Sequence, residues 1–288
     1  MLGFLAAGIF FLFGAGNVYV QKFENLAAKD IKSRLQGESS KVDVTAKLNG
    51  VIGGAFGDLK SVTIKASDFS TPGIPLFTEP QLSKRGRVRE LRLELSNFRL
   101  AGLHVDSLTS AIPECRFDYG LALKQNKIRL SQSGEGSGQV RIRAQALADF
   151  ILKKFKEIKR VTVKIEKDKV FVDGYGEFLI LNTNFSVIAK LEPVDGTKLA
   201  LAHAAIFFDD KPADEASRKV LLDTLNPVVD LNKDLKLHGA VTVERVTLRD
   251  GILEAFARTR IPEAPKPGGS TQALKLAQPL LEPAFRRL

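Results

Sequence analysis

The residues of this sequence that most often do chemistry are three histidines and one cysteine. His104, His203 and His238 stand far apart and form neither an HxH nor an HExxH pattern, so they have no metal-ligand spacing. Because Cys115 is the only cysteine, neither an intrachain disulfide nor a cysteine-rich zinc site can form. The nucleophile motif GxSxG and the phosphate-binding loop GxxxxGKS/T do not occur. We therefore predict that the protein is not an enzyme and has no catalytic residue, no metal site and no cofactor.

The remaining polar candidates have simpler structural interpretations. No predicted helix start lies beside Cys115 to activate it, so an ordinary buried thiol is expected there. His203 falls on the apolar face of an alternating run, which favours a core histidine. Pro212 and Ala213 interrupt the acidic residues at 209–215, so the alternate oxygen ligands of a calcium loop are missing. Helix capping explains these carboxylates, and Asp210 is predicted to be the cap.

Two groups of basic residues indicate an anionic partner. The net charge is +10, and residues 81–160 alone hold 17 Lys and Arg against 8 Asp and Glu. The groups are Lys84, Arg85, Arg87, Arg89 and Arg92, and Lys153, Lys154, Lys156, Lys159 and Arg160. They form either a solvated face or a patch that meets anionic lipid headgroups, where each nearby cation contributes about 1 kcal/mol. No nucleic-acid-binding motif accompanies them, so we do not expect a nucleic acid as the partner.

The amino-terminal segment predicts contact with a membrane. Residues 1–21 contain no charged side chain, and about 20 apolar residues span a bilayer core. A single-span anchor, a cleaved signal peptide and a buried core helix are the alternatives that the sequence leaves open. Cations at positions 22, 29, 32 and 34 favour a cytoplasmic body by the positive-inside rule, although long domains often cross regardless. We expect an extracytoplasmic body.

An alternation of apolar and polar residues dominates the chain from residue 41 onward. Short alternating runs separated by Gly, Asn and Asp predict about a dozen antiparallel strands, each with one buried face. Tight turns are predicted at Lys167-Asp168 and Asp250-Gly251. One predicted strand face carries Phe117, Tyr119, Leu121 and Leu123, and another carries Leu199, Leu201, His203, Ala205 and Phe207.

Helical spacing of apolar residues predicts helices at residues 22–36, 144–158 and 213–225. Gly37 is predicted to end the first helix, and Asn226-Pro227 the last. These helices are too few for alternating βα units, so a parallel sheet is not expected. Residues 22–261 therefore form the β-rich body, and residues 262–288 are predicted to be a Pro/Gly linker followed by a disordered tail.

Four stretches of the body resemble the LmeA-like phospholipid-binding family of the bacterial cell envelope. They are VRELRLELSNFRLAGLHVDSLTS, VRIRAQALADFILKKF, VTVKIEKDKVFVDGYGEF and LNPVVDLNKDLKLHGAVTVERVTLRDGILEAFA, within roughly residues 24–261. The resemblance implies a TULIP-like, β-rich α+β fold, in which a long twisted antiparallel sheet curls around a few helices. It also implies an apolar groove for acyl chains and a role in envelope lipid or lipoglycan maintenance, and it supplies no catalytic residue.

These observations predict a tethered envelope protein that binds or transfers lipid, with a phospholipid or an anionic membrane surface as its partner. A carrier must shield an acyl chain, because burying each methylene is worth about 0.8 kcal/mol. The predicted groove residues are Phe117, Tyr119, Phe178, Phe185 and Phe207, and the predicted headgroup residues are Lys153, Lys154, Lys156, Lys159 and Arg160. The alternatives are a structural or scaffold protein with a solid core, and an enzyme acting on a lipid headgroup.

Overall fold

β-Strands form most of the computed structural model, which describes residues 20–50, 57–73, 86–125, 127–178 and 181–262. Sheet A contains β1 (Lys41–Leu48), β2 (Asp58–Thr71), β3 (Gly86–Leu100), β4 (Leu103–Phe117), β5 (Leu130–Gln132), β6 (Gly136–Arg143), β13 (Val241–Arg249) and β14 (Ile252–Thr259). Sheet B contains β7 (Ile158–Glu166), β8 (Lys169–Phe178), β9 (Leu181–Val194), β10 (Lys198–Phe208), β11 (Lys211–Pro212) and β12 (Val229–Asp230). The predicted β-rich α+β class is confirmed.

The strand order leaves β1 and β13 at the two edges of sheet A. Its order is β1-β2-β3-β4-β6-β14-β13, with β5 beside β4, whereas sheet B runs β11-β10-β9-β8-β7 with β12 beside β10. Among the described strands, every pairing is antiparallel except that of β2 with β3. A parallel pair needs a connection of about a dozen residues or more, and residues 72–85 supply it.

The helices differ from the sequence prediction at their ends. Helix α1 covers residues 20–32 and stops before Gly37, because residues 33 and 34 already form a turn. Helix α3 (Ala144–Lys154) is shorter than predicted, since the chain must extend again to begin β7 at Ile158. Helix α4 (Glu215–Leu225) is capped by Asp214 rather than Asp210, and the Asp214 side chain accepts a hydrogen bond from the Ser217 N–H at 2.9 Å.

A short helix replaces the strand predicted after Phe117. Helix α2 (Tyr119–Gln125) begins because the buried Asp118 side chain accepts a hydrogen bond from the Leu121 N–H at 2.8 Å. The alternation of Phe117 and Tyr119 was therefore interpreted wrongly as one strand face. The chain turns between these two residues, so that their rings meet edge to face at 6.3 Å.

Irregular positions bend the long strands of sheet A, and two of them lie side by side on β2 and β3. Asp68 in β2 and Asn97 in β3 have positive φ angles of 59° and 48°, which regular strands do not adopt. At Asn97 the spacing of the inward-facing apolar residues lengthens from two, as between Leu93 and Leu95, to three, from Leu95 to Phe98. Asn97 Nδ2 donates a hydrogen bond to Asp68 Oδ1 at 2.6 Å, and this bond holds the pKa of Asp68 below its usual range. Such irregularities bend and twist a strand, which explains the curl of the sheet.

A bulge also corrects the predicted face of β10. The register against β9 shifts between Ala202 and Ala205, and His203 within the bulge has a φ of 53°. Because the bulge reverses the alternation, Leu201 and Ile206 are buried whereas Phe207 is only half-buried. The His203 side chain is 75% exposed, so its interpretation as a core histidine was wrong.

Two hydrophobic clusters pack on one face of sheet A, which we call the inner face. The larger cluster fills the space between sheet A, sheet B, α3 and α4, and it includes Phe98, Leu147, Ile165, Phe185 and Leu221. The smaller cluster lies between α1 and strands β1–β4, and it includes Val44, Val62, Leu91, Cys115 and Phe117. Val42 on the edge strand contacts both clusters, so they adjoin at β1.

Candidate functional site

Helix α1 covers an apolar part of the inner face of sheet A. Its residues Phe23, Ala27 and Ile31, spaced four apart, recur on one side of the helix and pack on β1–β4. A cavity of about 50 Å³ remains beneath the helix. It is lined by Phe23, Ala27, Asp30, Ile31, Val44, Val62, Ile64, Val88, Leu91, Phe117, Ile128 and Leu130. Asp30 is the one ionisable residue in this lining.

Two polar contacts attach α1 to the rest of the protein. The Glu24 carboxylate accepts a hydrogen bond from the Ala46 N–H of β1 at 2.7 Å. Asp30 accepts a hydrogen bond from Arg129 Nη1 at 2.7 Å, and the Arg129 side chain is only 9% exposed. The apolar contact is less complete, because Ala27 is buried whereas Phe23 and Ile31 are half-buried. Helix α1 is thus a cover with modest burial rather than part of a closed core.

An apolar row crosses the inner face beside the smaller hydrophobic cluster, which we call the α1 cluster. The strand register aligns Val42, Ala66, Leu95, Leu108, Val140, Ala255 and Val246 on seven consecutive strands. Ala66 and Ala255 are buried, and the five larger side chains are half-buried. Six strand spacings of about 4.8 Å make the row about 29 Å long, whereas the acyl chains of one leaflet span about 15 Å of a bilayer core. The row is therefore long enough for an acyl chain.

The five aromatic residues predicted to line a groove fall in three places. Phe117 is 1% exposed and lies in the α1 cluster with the half-buried Tyr119, where its ring is 6.1 Å from that of Phe23. Phe178 and Phe185 meet edge to face at 6.1 Å in the larger cluster. Phe207 lies outside both clusters, because the bulge in β10 turns it to the other face of sheet B. The aromatic residues do not share one groove.

The basic residues at the end of α3 also separate into two kinds. Lys154 Nζ lies 2.6 Å from Asp234 Oδ2, and it donates hydrogen bonds to the carbonyl oxygens of Pro227 at 2.8 Å and Val228 at 3.2 Å. This lysine joins α3 to the chain that follows α4, so its side chain faces inward rather than toward a headgroup. The exposed members are Lys153, Lys156, Lys159 and Arg160.

Two histidines of the described residues lie beside carboxylates. His104 Nε2 lies 3.6 Å from Asp106, and the exposed His203 Nε2 lies 3.9 Å from Glu192. Each of these histidines therefore has one carboxylate neighbour. No group of three or more His, Cys, Asp or Glu residues that could hold a metal ion occurs in this part of the chain.

Cys115 should destabilise the protein at alkaline pH. Its side chain is 0% exposed, and burial, with a smaller effect of Glu114, raises the pKa of the thiol from 9.0 to about 12. Between these two pKa values the thiol ionises in the unfolded chain but not in the folded one, so the free energy of unfolding falls as the pH rises above 9.0. We expect urea denaturation at pH 7 and at about pH 10 to show a smaller loss for Cys115→Ala than for the natural chain. An equal loss in both proteins would contradict the inferred burial of the thiol.

This geometry defines a class of protein. It is β-rich, and a helix covers the apolar face of its curled sheet. The chain belongs to the LmeA-like phospholipid-binding family, whose sequence model matches residues 15–256. The resemblance of the four sequence stretches is thereby confirmed, and it associates the chain with lipid binding. The comparison with curated proteins finds no match, and neither does the comparison with solved structures.

Several sequence predictions fall outside the described residues. Residues 1–19 of the predicted membrane segment, Lys84 and Arg85 of the first basic group, and residues 263–288 of the predicted tail are among them. Within the described ranges, no helix combines the length and the apolarity that crossing a bilayer requires. The sequence predicted helix α1 but not its position over β1–β4. The four-residue spacing of its apolar side chains did indicate that one side of the helix is apolar.

Proposed function

We propose that the protein binds the acyl chains of a phospholipid on the inner face of sheet A and transfers lipid within the cell envelope. The supporting observation is the apolar surface under α1, where about a dozen side chains line a cavity with a single ionisable residue. Membership of a phospholipid-binding family supports the choice of ligand. On this proposal the protein is not an enzyme, and it supplies burial and a change of location rather than catalysis.

Lipid binding on this face requires α1 to move. A cavity of about 50 Å³ is too small for an acyl chain. An engineered cavity that binds benzene, a much smaller molecule, measures about 150 Å³. A chain that leaves a bilayer stays shielded from water only if the protein offers it an apolar surface, such as the one that α1 covers. The apolar contact that α1 gives up is modest, because Phe23 and Ile31 are only half-buried and complete burial of such a side chain is worth about 1.5–3 kcal/mol. An acyl chain can therefore displace α1 and take its place.

The flanking segments and the exposed cations complete the proposal. Residues 1–21 tether the protein to a membrane or direct its export, the body at residues 22–261 lies outside the cytoplasm, and residues 262–288 form a tail. Lys153, Lys156, Lys159 and Arg160 then provide the contact with anionic headgroups, each contributing about 1 kcal/mol near a charged surface. Lys154 is left out of this set, because Asp234 and two carbonyl oxygens hold its half-buried ammonium group away from the surface.

Substituting Ile64→Lys should remove lipid uptake. Ile64 lines the cavity, and a lysine there would place an unpaired ammonium group against the acyl chain. We expect uptake of a fluorescent phospholipid from vesicles by the full chain to fall at least about tenfold, which corresponds to about 1.4 kcal/mol. Native mass spectrometry should show the same loss of bound phospholipid.

Thr63→Lys is the matched control for this variant. Thr63 is the preceding residue of β2, so its side chain points to the opposite face of sheet A. This control adds the same charge to the same strand, and its uptake should stay within about twofold of the natural chain. Equal uptake by Ile64→Lys and Thr63→Lys proteins, both folded by circular dichroism, would rule out the inner face as the lipid site.

A solid structural protein is the second candidate function. The cavity between α3 and sheet B, lined by residues such as Leu147, Phe155 and Leu201, has a volume of only about 10 Å³, so this part of the core is closely packed. A scaffold would keep α1 in place and take up no lipid. The uptake experiment separates the two functions, because a scaffold predicts no uptake by the natural chain.

A further inference from the structure

The outer face of sheet A, opposite the apolar face, has a depression lined by arginines. Its volume is about 330 Å³, and it lies where β6, β14 and β13 are adjacent. Its lining consists of Arg141, Arg245, Thr247, Arg249, Asp250, Ile252 and Glu254. None of these residues belongs to the two basic groups that the sequence singles out, so the depression is a separate feature of the surface.

The strand register brings these side chains together from three strands. Arg141 of β6 is opposite Glu254 of β14, and Glu254 is opposite Thr247 of β13. Within β13, Arg245, Thr247 and Arg249 are spaced two apart, so their side chains share the outer face. Three guanidinium groups thus line one depression although their residues are separated by up to about a hundred positions in the chain.

Arg141 neutralises the carboxylate in the middle of the depression. Glu254 Oε1 accepts a hydrogen bond from Gln139 Nε2 at 2.6 Å, and Arg141 Nε lies 3.5 Å from the same oxygen. The Glu254 charge is thus engaged by two side chains of β6. Glu254 therefore does not neutralise the guanidinium groups of Arg245 and Arg249 on β13.

Arg245 is fixed in position without a carboxylate. Its guanidinium carbon lies 4.0 Å from the centre of the Phe256 ring, and its Nη1 donates a hydrogen bond to Thr247 Oγ1 at 3.0 Å. In the described part of the chain, neither Arg245 nor Arg249 forms an ion pair. Three arginines against Asp250 and Glu254 leave one net positive charge in the lining, which favours an anion.

We propose that Arg141, Arg245 and Arg249 form a binding site for a phosphate ester. A guanidinium group presents paired N–H donors whose geometry matches two oxygens of a phosphate. The stacking of Arg245 on Phe256 orders one donor group in advance, which lowers the entropy lost on binding. A phosphate ester carries at least one negative charge, which offsets the net charge of the lining. The site lies on the opposite face from the proposed acyl site and stands independently of it.

Replacing two of the arginines tests the proposal. Binding of glycerol 3-phosphate by the full chain is measured by calorimetry, and binding to phosphatidylglycerol vesicles by co-sedimentation against phosphatidylcholine vesicles. The Arg245→Gln/Arg249→Gln protein should bind at least about tenfold more weakly, because a hydrogen bond to a charged group contributes enough for such a change. The control is Arg92→Gln, which removes an exposed arginine that pairs with Glu90 on β3. Its affinity should stay within about twofold.

The two probes distinguish the sources of the phosphate. If the affinity for glycerol 3-phosphate depends on the arginines, a soluble phosphate ester is sufficient as the ligand. Arginine-dependent binding of phosphatidylglycerol vesicles alone would support a phosphate presented by a lipid headgroup. The proposal is overturned if the natural chain binds neither probe, or if the double variant and Arg92→Gln bind equally well. Uptake of fluorescent phospholipid should be unchanged in the double variant, so failure here leaves the proposed function intact.

Discussion

Replacing Lys154 with methionine should lower the free energy of unfolding by about 3 kcal/mol, the lower end of the range for breaking a buried ion pair. The Lys154 and Asp234 side chains are 21% and 19% exposed, and their charged atoms are 2.6 Å apart. Methionine keeps most of the apolar volume but leaves the Asp234 carboxylate and two carbonyl oxygens without their ammonium donor. Urea denaturation of the full chain measures the loss.

Lys153→Met is the control for this prediction. Lys153 is the adjacent residue, it is exposed, and its charge is the same. Surface substitutions away from special features usually change stability by no more than about 0.5 kcal/mol. A similar loss of stability in both variants would mean that Lys154 does not join α3 to the chain after α4. A loss confined to Lys154→Met would establish its structural role and remove it from the headgroup contact.

Making the apolar side of α1 polar should open the proposed lipid site. In a Phe23→Asp/Ile31→Asp protein, two carboxylates would face the apolar surface of β1–β4, and burying each would require desolvation of a charge. The equilibrium should then shift toward a state in which α1 is detached. We expect the initial rate of fluorescent phospholipid uptake to rise at least about tenfold, since each 1.4 kcal/mol changes a population ratio tenfold.

Gln21→Asp/Asn25→Asp is the matched control for the opened helix, because it changes the charge by the same amount. Both residues are on the exposed side of α1, so this variant adds two carboxylates to the helix without placing them against the sheet. Its uptake rate should stay close to that of the natural chain. A fall in uptake for Phe23→Asp/Ile31→Asp would show that α1 forms a wall of the site, which contradicts its role as a displaceable cover.

The sequence predicted the elements of the fold better than their irregularities. Alternation of Leu91, Leu93 and Leu95 identified β3, because these side chains share the inner face. The turn at Asp250-Gly251 followed from residues that tolerate positive φ, here 50° and 78°. The bulge at His203 could not be predicted, since a single extra residue changes the exposed face without changing local composition. The same limit explains why Phe207 was assigned to a groove.

The two neighbouring lysines of α3 show a second limit of prediction from sequence. Lys153 and Lys154 are consecutive lysines in the last turn of α3. One is exposed, whereas the other is paired with a residue 80 positions away. Only the long-range fold brings Asp234 to that place. The arginine depression was missed for the same reason, because Arg141 and Arg249 belong to strands that are distant in sequence and separated by β14.

The hydrogen bond from Ala46 to Glu24 has a consequence for solubility. Strand β1 is an edge of sheet A, and an uncovered edge offers unpaired backbone groups to the strands of other molecules. Helix α1 therefore protects this edge against aggregation while it covers the apolar face. Movement of α1 would expose both surfaces together, so an open protein in free solution would be prone to self-association. Opening would be safest at a bilayer, where lipid replaces the helix at once.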